Sequence, residues 1–289
     1  GCGGSGGSGG GVGWFSLVLL GSVFRFRRSS LVAMAAWSGV ASAAGVNAHG
    51  FELMSTSGDL DSYSRLVYPT QTTLWDWDVG VFADHANDPL VEVLPDSTEV
   101  ILSALTTTSL GVGVTVLPWT RVEAVLPFHP VGVARTGSFS AFGDARVGAV
   151  VSALPVEGGK IGIAFAPSIW LPTGSSDVNV GTPGVSGGAI ISVAQELDGF
   201  GWNVNLGGRV GKEETTRNLT TGSGAMFGIG GHYRLSDTLS IASETTIQGS
   251  AGWDSFPLET MLYGRFRLLG GVWGAIGGGV GVNDAVGSA

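Results

Sequence analysis

Charge in this chain keeps to one side of an alternation. Between Trp75 and Val282 the sequence divides into eleven segments in which every second residue is aliphatic or aromatic. The charged residues fall on the opposite parity each time. Trp75, Trp77, Val79, Val81 and Ala83 alternate with Asp76, Asp78, Phe82 and Asp84. Val122, Ala124 and Leu126 alternate with Arg121 and Glu123, and Leu258, Leu262 and Phe266 with Glu259, Arg265 and Arg267. The isolated charges Arg146, Glu196, Arg209, Arg234 and Glu244 obey the same rule. A period of two is that of a β-strand with one face in an apolar phase. A soluble sandwich alternates too, but it covers its wet face with lysine and glutamate. Here only Lys160 and Lys212 are lysines, 13% of residues are charged, and the polar parity is mostly glycine, alanine and serine. Such a face suits a confined interior. An Arg or Lys on a lipid-facing parity costs about 2–4 kcal/mol at the bilayer midplane. The expected fold is therefore all-β: an antiparallel, transmembrane, up-and-down β-barrel.

The connections agree with that expectation. Short ones near Pro118, Pro155 to Gly159, Asp198-Gly199, Ser236-Asp237 and Gly270 alternate with mostly longer ones: 87–98, 130–143, 172–186, 212–222 and 249–255. Bacterial barrels have short periplasmic turns, longer outer loops and an even number of strands. Eleven segments thus imply about twelve strands, the last expected beyond Ala289, so that the barrel is C-terminally truncated here. A miscount within 90–116 is the alternative. Fifty glycines, 44% hydrophobic residues and a mean hydropathy of +0.33 exclude disorder. Past residue 45 no apolar run is long enough for a membrane helix. The net charge of −9 argues against nucleic-acid binding, and the single cysteine, Cys2, excludes an internal disulfide. Residues 1–48 read as a leader and secretion signal: a Gly/Ser-rich start, basic Arg25-Phe26-Arg27-Arg28, apolar Leu31 to Val40, and cleavage candidates Ala41-Ser42-Ala43 and Val46-Asn47-Ala48. A core helix is the alternative for the apolar run. Residues 49–72 read as a periplasmic N-terminal segment and 73–289 as the barrel.

Six short pieces carry a family resemblance. They are Gly50-Phe51-Glu52-Leu53, Asn87-Asp88-Pro89-Leu90, Gly143-Asp144-Ala145-Arg146, Leu171-Pro172-Thr173-Gly174, Asn205-Leu206-Gly207 and Pro257-Leu258-Glu259. In order and spacing the region 50–282 resembles the N-terminal barrel of OmpA-family outer-membrane proteins of the myxobacterial type. It is also similar to the outer-membrane channel barrels of aromatic-degradation pathways. The first resemblance implies a structural role, tying the outer membrane to the cell wall, with peptidoglycan as a partner through a further C-terminal domain. The second implies a passive, porin-like channel for small or hydrophobic solutes. Both imply a Gram-negative outer membrane, with its lipid and lipopolysaccharide as the surrounding partner.

Chemistry-bearing motifs are sparse. His49, His85, His129 and His232 show no metal-ligand spacing, and neither a cofactor nor a catalytic residue is expected. Some twelve-stranded barrels are rim lipases, but His129 is followed by Pro130 with no His-x-Ser. Asp76, Asp78 and Asp84 would either bind a cation or pair with Arg146, Arg209 or Arg265. The candidate lumen-facing charges are Asp76, Asp78, Arg121, Glu123, Arg146, Glu196, Arg209, Arg234, Glu244, Glu259, Arg265 and Arg267. Most of Trp75, Trp77, Trp119, Trp170, Trp202 and Trp253 are expected in the interfacial girdles.

Overall fold

The computed structural model describes residues 16–25, 53–56, 63–70, 73–94, 97–178, 180–216, 219–250, 258–268 and 272–281. Its elements are almost all strands: β1 (Ser16–Arg25), β2 (Trp77–Leu94), β3 (Ser97–Leu117), β4 (Thr120–Ala134), β5 (Gly137–Phe142), β6 (Ala145–Leu154), β7 (Gly162–Leu171), β8 (Ser186–Leu197), β9 (Phe200–Val210), β10 (Glu214–Thr216), β11 (Leu219–Thr221), β12 (Gly224–Ser236), β13 (Leu239–Ser250), β14 (Leu258–Arg267) and β15 (Val272–Gly281). All eleven alternating segments of the sequence are strands, namely β2–β4, β6–β9 and β12–β15.

Every pairing is antiparallel, and the sheet closes. Its order runs from β3 through β2, β1, β15, β14, β13, β12, β9, β8, β7 and β6 to β4, and β4 pairs with β3 again. β5 is a flap on the outer half of β4, which pairs with β6 through its first half. The twelfth place is taken by β1. It pairs with β15 on one edge and β2 on the other, with a register shift on each side. The sequence reading puts Ser16–Arg25 in the leader and the closing strand past Ala289; in the structure this apolar, strand-length stretch seats itself between β15 and β2. The physical reason is the edge: an open one leaves a row of N–H and C=O groups unpaired in lipid.

The outward parity is a belt of exposed apolar side chains, among them Val81, Val112, Val147, Phe165, Ile191, Leu206, Ile229, Ile241, Leu262 and Ile276. Along β7 the burial alternates residue by residue, with Ile163, Phe165 and Ile169 out and Ala164, Ala166 and Ser168 in. One turn shows why the hairpins are tight. Asp198 and Gly199 both have positive φ (47° and 85°), which matches the two-residue turns that suit twisted strands.

At the opposite end the strands continue beyond the belt. β2 and β3 stay paired up to Leu94↔Ser97, where the sequence reading expects a loop. Leu90, Leu102, Leu105 and Val180 form a buried cluster there, so the connection after β7 packs against the β2–β3 hairpin.

Candidate functional site

The core of this molecule lies inside the barrel. Residues 53–56 and 63–69, which the sequence reading places in the periplasm, are buried in the lumen. Three of the buried apolar clusters combine wall and plug: Leu53 with Phe82, Val125 and Met261; Met54 and Val67 with Val150, Ala164 and Ile190; Tyr63, Leu66 and Tyr68 with Ala194. The apolar effect accounts for this. Leu53, Tyr63 and Leu66 are too apolar for water and find in the lumen the surface that the wall leaves uncovered.

Glycine makes the room. A Cβ at Gly230 would come within 2.6 Å of the Tyr63 ring, and one at Gly228 within 2.3 Å of Leu66. The glycine-rich inner parity is therefore the mould of the plug rather than the lining of an open pore.

The lumen charges hold the plug. In a first cluster Arg121 bridges Asp78 (2.5 Å) and Glu123 (2.9 Å) and donates to the Thr56 hydroxyl at 2.8 Å. Thr56 donates its backbone N–H to Glu123 Oε1 at 3.3 Å. Arg146 donates to the Leu53 carbonyl at 3.1 Å and stands 3.5 Å from Glu123. The register explains the reach of Arg121. Asp78 pairs with Gly113, and Gly113 with Glu123, so the guanidinium crosses β3 where no side chain blocks it. A Cβ at Gly113 would lie 1.8 Å from Arg121 Nη2.

In a second cluster Glu244 accepts the backbone N–H groups of Ser64 and Arg65, each at 2.8 Å, and the Tyr263 hydroxyl. Arg65 pairs with Glu259, and Arg265 reaches the Ser64 hydroxyl at 3.3 Å while lying over the Tyr263 ring. A third, uncharged cluster brackets Val67. Asn205 accepts its N–H at 2.8 Å, and Ser192 and Asn203 donate to its carbonyl at 2.7 and 2.6 Å. Tyr63 shares a 3.0 Å hydrogen bond with His232, and Val156 N–H binds the Pro69 carbonyl where the segment leaves at the short-turn end. Buried guanidinium and carboxylate groups are tolerable only when paired and hydrogen-bonded in this way.

Of the twelve candidate charges, Asp78, Arg121, Glu123, Arg146, Glu244, Glu259 and Arg265 thus come together around the plug. The others lie apart. Glu196 and Arg234 pair at 3.2 Å, more exposed, beside the short turns. Arg209 stacks 4.5 Å from the Trp170 ring and donates to Ser186 near the outer end. Arg267 stacks on Trp273 at 5.2 Å, and Asp76 is half-buried just before β2. Asp78 pairs with Arg121 instead of the three arginines expected. Trp75 and Trp119 are exposed, whereas Trp170 is buried inward because it shares parity with Ser168; Trp253 lies outside the described residues. Among the described residues no group of three or more His, Cys, Asp or Glu is placed to hold a metal ion.

Sequence reasoning missed the plug's own contribution, Thr56, Tyr63, Arg65 and Val67, and also Asp144. Two of the resemblance motifs interlock at Asp144. Its carboxylate accepts Gly174 N–H (3.0 Å), Thr182 N–H (2.8 Å) and the Thr182 hydroxyl (2.6 Å), while Thr173 donates to the Gly143 carbonyl at 2.8 Å. Burial lifts the Asp144 carboxyl above the usual carboxylate range, against the opposing pull of those donors. This clasp holds the connection after β7 down, so that Val180 reaches its cluster.

A family model described as "Putative MetA-pathway of phenol degradation" matches residues 91–241, just over half of the chain. The match runs from the end of β2 to the start of β13 and agrees with the second of the two resemblances read in the sequence. No curated protein matches.

Proposed function

The chain belongs to this phenol-degradation family, and from that premise we propose that it is an outer-membrane barrel through which small, largely apolar solutes pass when its internal plug yields. The observation that carries the reading is the plug itself. A barrel kept only as a scaffold fills its interior with wall side chains. This one lines much of its inner face with glycine and fills the space with a separate segment, held by hydrogen bonds and ion pairs that rearrange more readily than a covalent wall. The apolar outward belt supports membrane lipid as the surrounding partner. Catalysis has no place in this reading, in which Asp78, Arg121, Glu123, Glu244 and Glu259 serve to hold the plug.

Planar-bilayer conductance of the full chain, compared with Arg65→Ala, tests the proposal. Arg65→Ala strands Glu259 opposite a loosened plug; leaving one member of a buried pair without its partner costs about 3–5 kcal/mol. The expected result is a nearly silent parent and a variant with frequent openings. Silence in both, with the variant still folded, returns the reading to a structural barrel of the OmpA type, whose anchoring role rests on the six motifs alone.

A further inference from the structure

The apolar belt is interrupted on one side of the barrel. Along β13 the outward row runs Leu239, Ile241, Ser243, Thr245 and Ile247, so two hydroxyls stand near the middle of a strand that faces outward. Across the pairings Ser243 lies between Gly231 of β12 and Leu262 of β14, and Leu262 lies between Ser243 and Gly278 of β15. Leu262 is 63% exposed. It rises as a single knob among small residues, with a hollow over Gly231 and Ser243 beside it.

Two observations mark the hollow as a contact surface. The first is the glycine. On the inner parity Gly228 and Gly230 leave their side-chain space to the plug. On the outer parity a Cβ at Gly231 would meet no atom nearer than 3.8 Å, so the chain's own packing does not require a glycine there. The second is the hydroxyls. Thr245 and Thr260 share one hydrogen bond at 3.0 Å, which uses only one of their two hydrogens. The Ser243 hydroxyl makes no hydrogen bond among the described residues. Hydrocarbon offers it no partner, and a hydroxyl left unpaired there is costly. Between membrane-spanning elements, close packing of small residues and hydrogen bonds replace the apolar effect as the source of association.

We infer that this face binds a second copy of the same chain about a two-fold axis. An isologous contact requires a patch that is complementary to itself, and this one is. A hydroxyl both donates and accepts, so Ser243 of each copy satisfies the other. Each copy carries both the Leu262 knob and the hollow that receives it, and the patch bears no charge to repel its like. A face three strands wide and ten residues long measures about 15 by 34 Å at ordinary strand spacing and rise. Counted on both copies it comes to about 1,000 Å², the least that a specific contact needs, so the dimer is reversible. The inference goes beyond the uptake reading and does not rest on it.

Energy transfer between full-length chains in phosphatidylcholine vesicles tests it. The chains are labelled at Cys2, half with a donor and half with an acceptor. Transfer is expected to exceed that of random proximity, to rise to a plateau with the protein-to-lipid ratio, and to fall when unlabelled chain is added. Ser243→Phe suits lipid better than serine and fills the hollow. It is expected to fold as well as the parent and to return transfer to the random level. Leu262→Ala should shift the midpoint ratio upward by about tenfold, the order found when a central interface residue is truncated. Val112→Ala, on the outward face of β3, should shift nothing. In a chain with Cys2 changed to Ser, Ser243→Cys should oxidise to a cross-linked dimer faster than Val112→Cys. Random-level transfer in the parent at every ratio overturns the proposal and leaves the patch to lipid or to another membrane protein. Transfer that ignores both Ser243→Phe and Leu262→Ala, or that Val112→Ala weakens as much, overturns it too. None of these readings involves conductance, so the dimer and the channel stand or fall separately.

Discussion

At the scale of single residues, the inner face works by pairing what is absent with what is large. Gly113 is the clearest case: its missing side chain is the space through which the Arg121 guanidinium reaches Asp78. Gly113→Val would therefore expel Arg121 from between Asp78, Glu123 and Thr56. The expected cost is about 3–5 kcal/mol, the range for breaking a buried charge network, read as a lower urea midpoint in lipid vesicles. Gly264 offers the contrast. It also lies in a barrel strand, but a Cβ there meets nothing within 4 Å, so Gly264→Ala should leave the midpoint within about 0.5 kcal/mol of the parent. If both substitutions cost the same, the role given to Gly113 is wrong.

At the scale of elements, the strands were legible in the sequence and the plug was not, for one physical reason. A strand between lipid and a polar interior writes its environment as a period of two, so β7 and β13 could be read from Ile163, Phe165 and Ile169 or from Ser240 and Glu244 alone. A plug has no period. Tyr63, Arg65 and Val67 are held by side chains from β8, β9, β12, β13 and β14, far apart in the sequence, and no local pattern announces such contacts. The same limit explains why Asp78 was assigned the wrong arginines, since its partner lies two strands away across β3. It also explains why β5, β10 and β11 went unread: they are short hairpin extensions outside the apolar belt, where nothing enforces alternation. The loop after β7 sits between these cases, because its motifs were visible but not their meeting. Asp144→Ala removes the acceptor for Gly174 and Thr182 together. The expected outcome is an intact barrel whose 172–185 connection is cleaved at least about tenfold faster by an added protease, following a local opening made roughly 1.4 kcal/mol easier. Cleavage at the parental rate would show that Val180 alone holds the loop.

At the scale of the whole molecule, two surfaces divide the work, and each predicts its own failure. The outward belt concerns insertion. Leu206, 61% exposed near the middle of β9, should cost about 2–4 kcal/mol when replaced by Arg if it faces the bilayer midplane, and Leu206→Arg should fold into vesicles correspondingly less well. The inner surface bears on the proposed passage of solutes, and there the geometry allows the plug to be locked. A Cβ built at Gly111 lies 3.6 Å from the Cβ of Thr56, within the span that a disulfide bridges. In a chain with Cys2 changed to Ser, Thr56→Cys together with Gly111→Cys should oxidise to a strap between plug and β3. If solutes pass because the plug moves, oxidation suppresses the openings gained by Arg65→Ala, and a reductant restores them. The Thr56→Cys variant without the second cysteine should respond to neither treatment. Openings that persist through a fully formed strap would mean that solutes pass elsewhere, with the plug a fixed part of the core. The lock thus separates a gate from a filling.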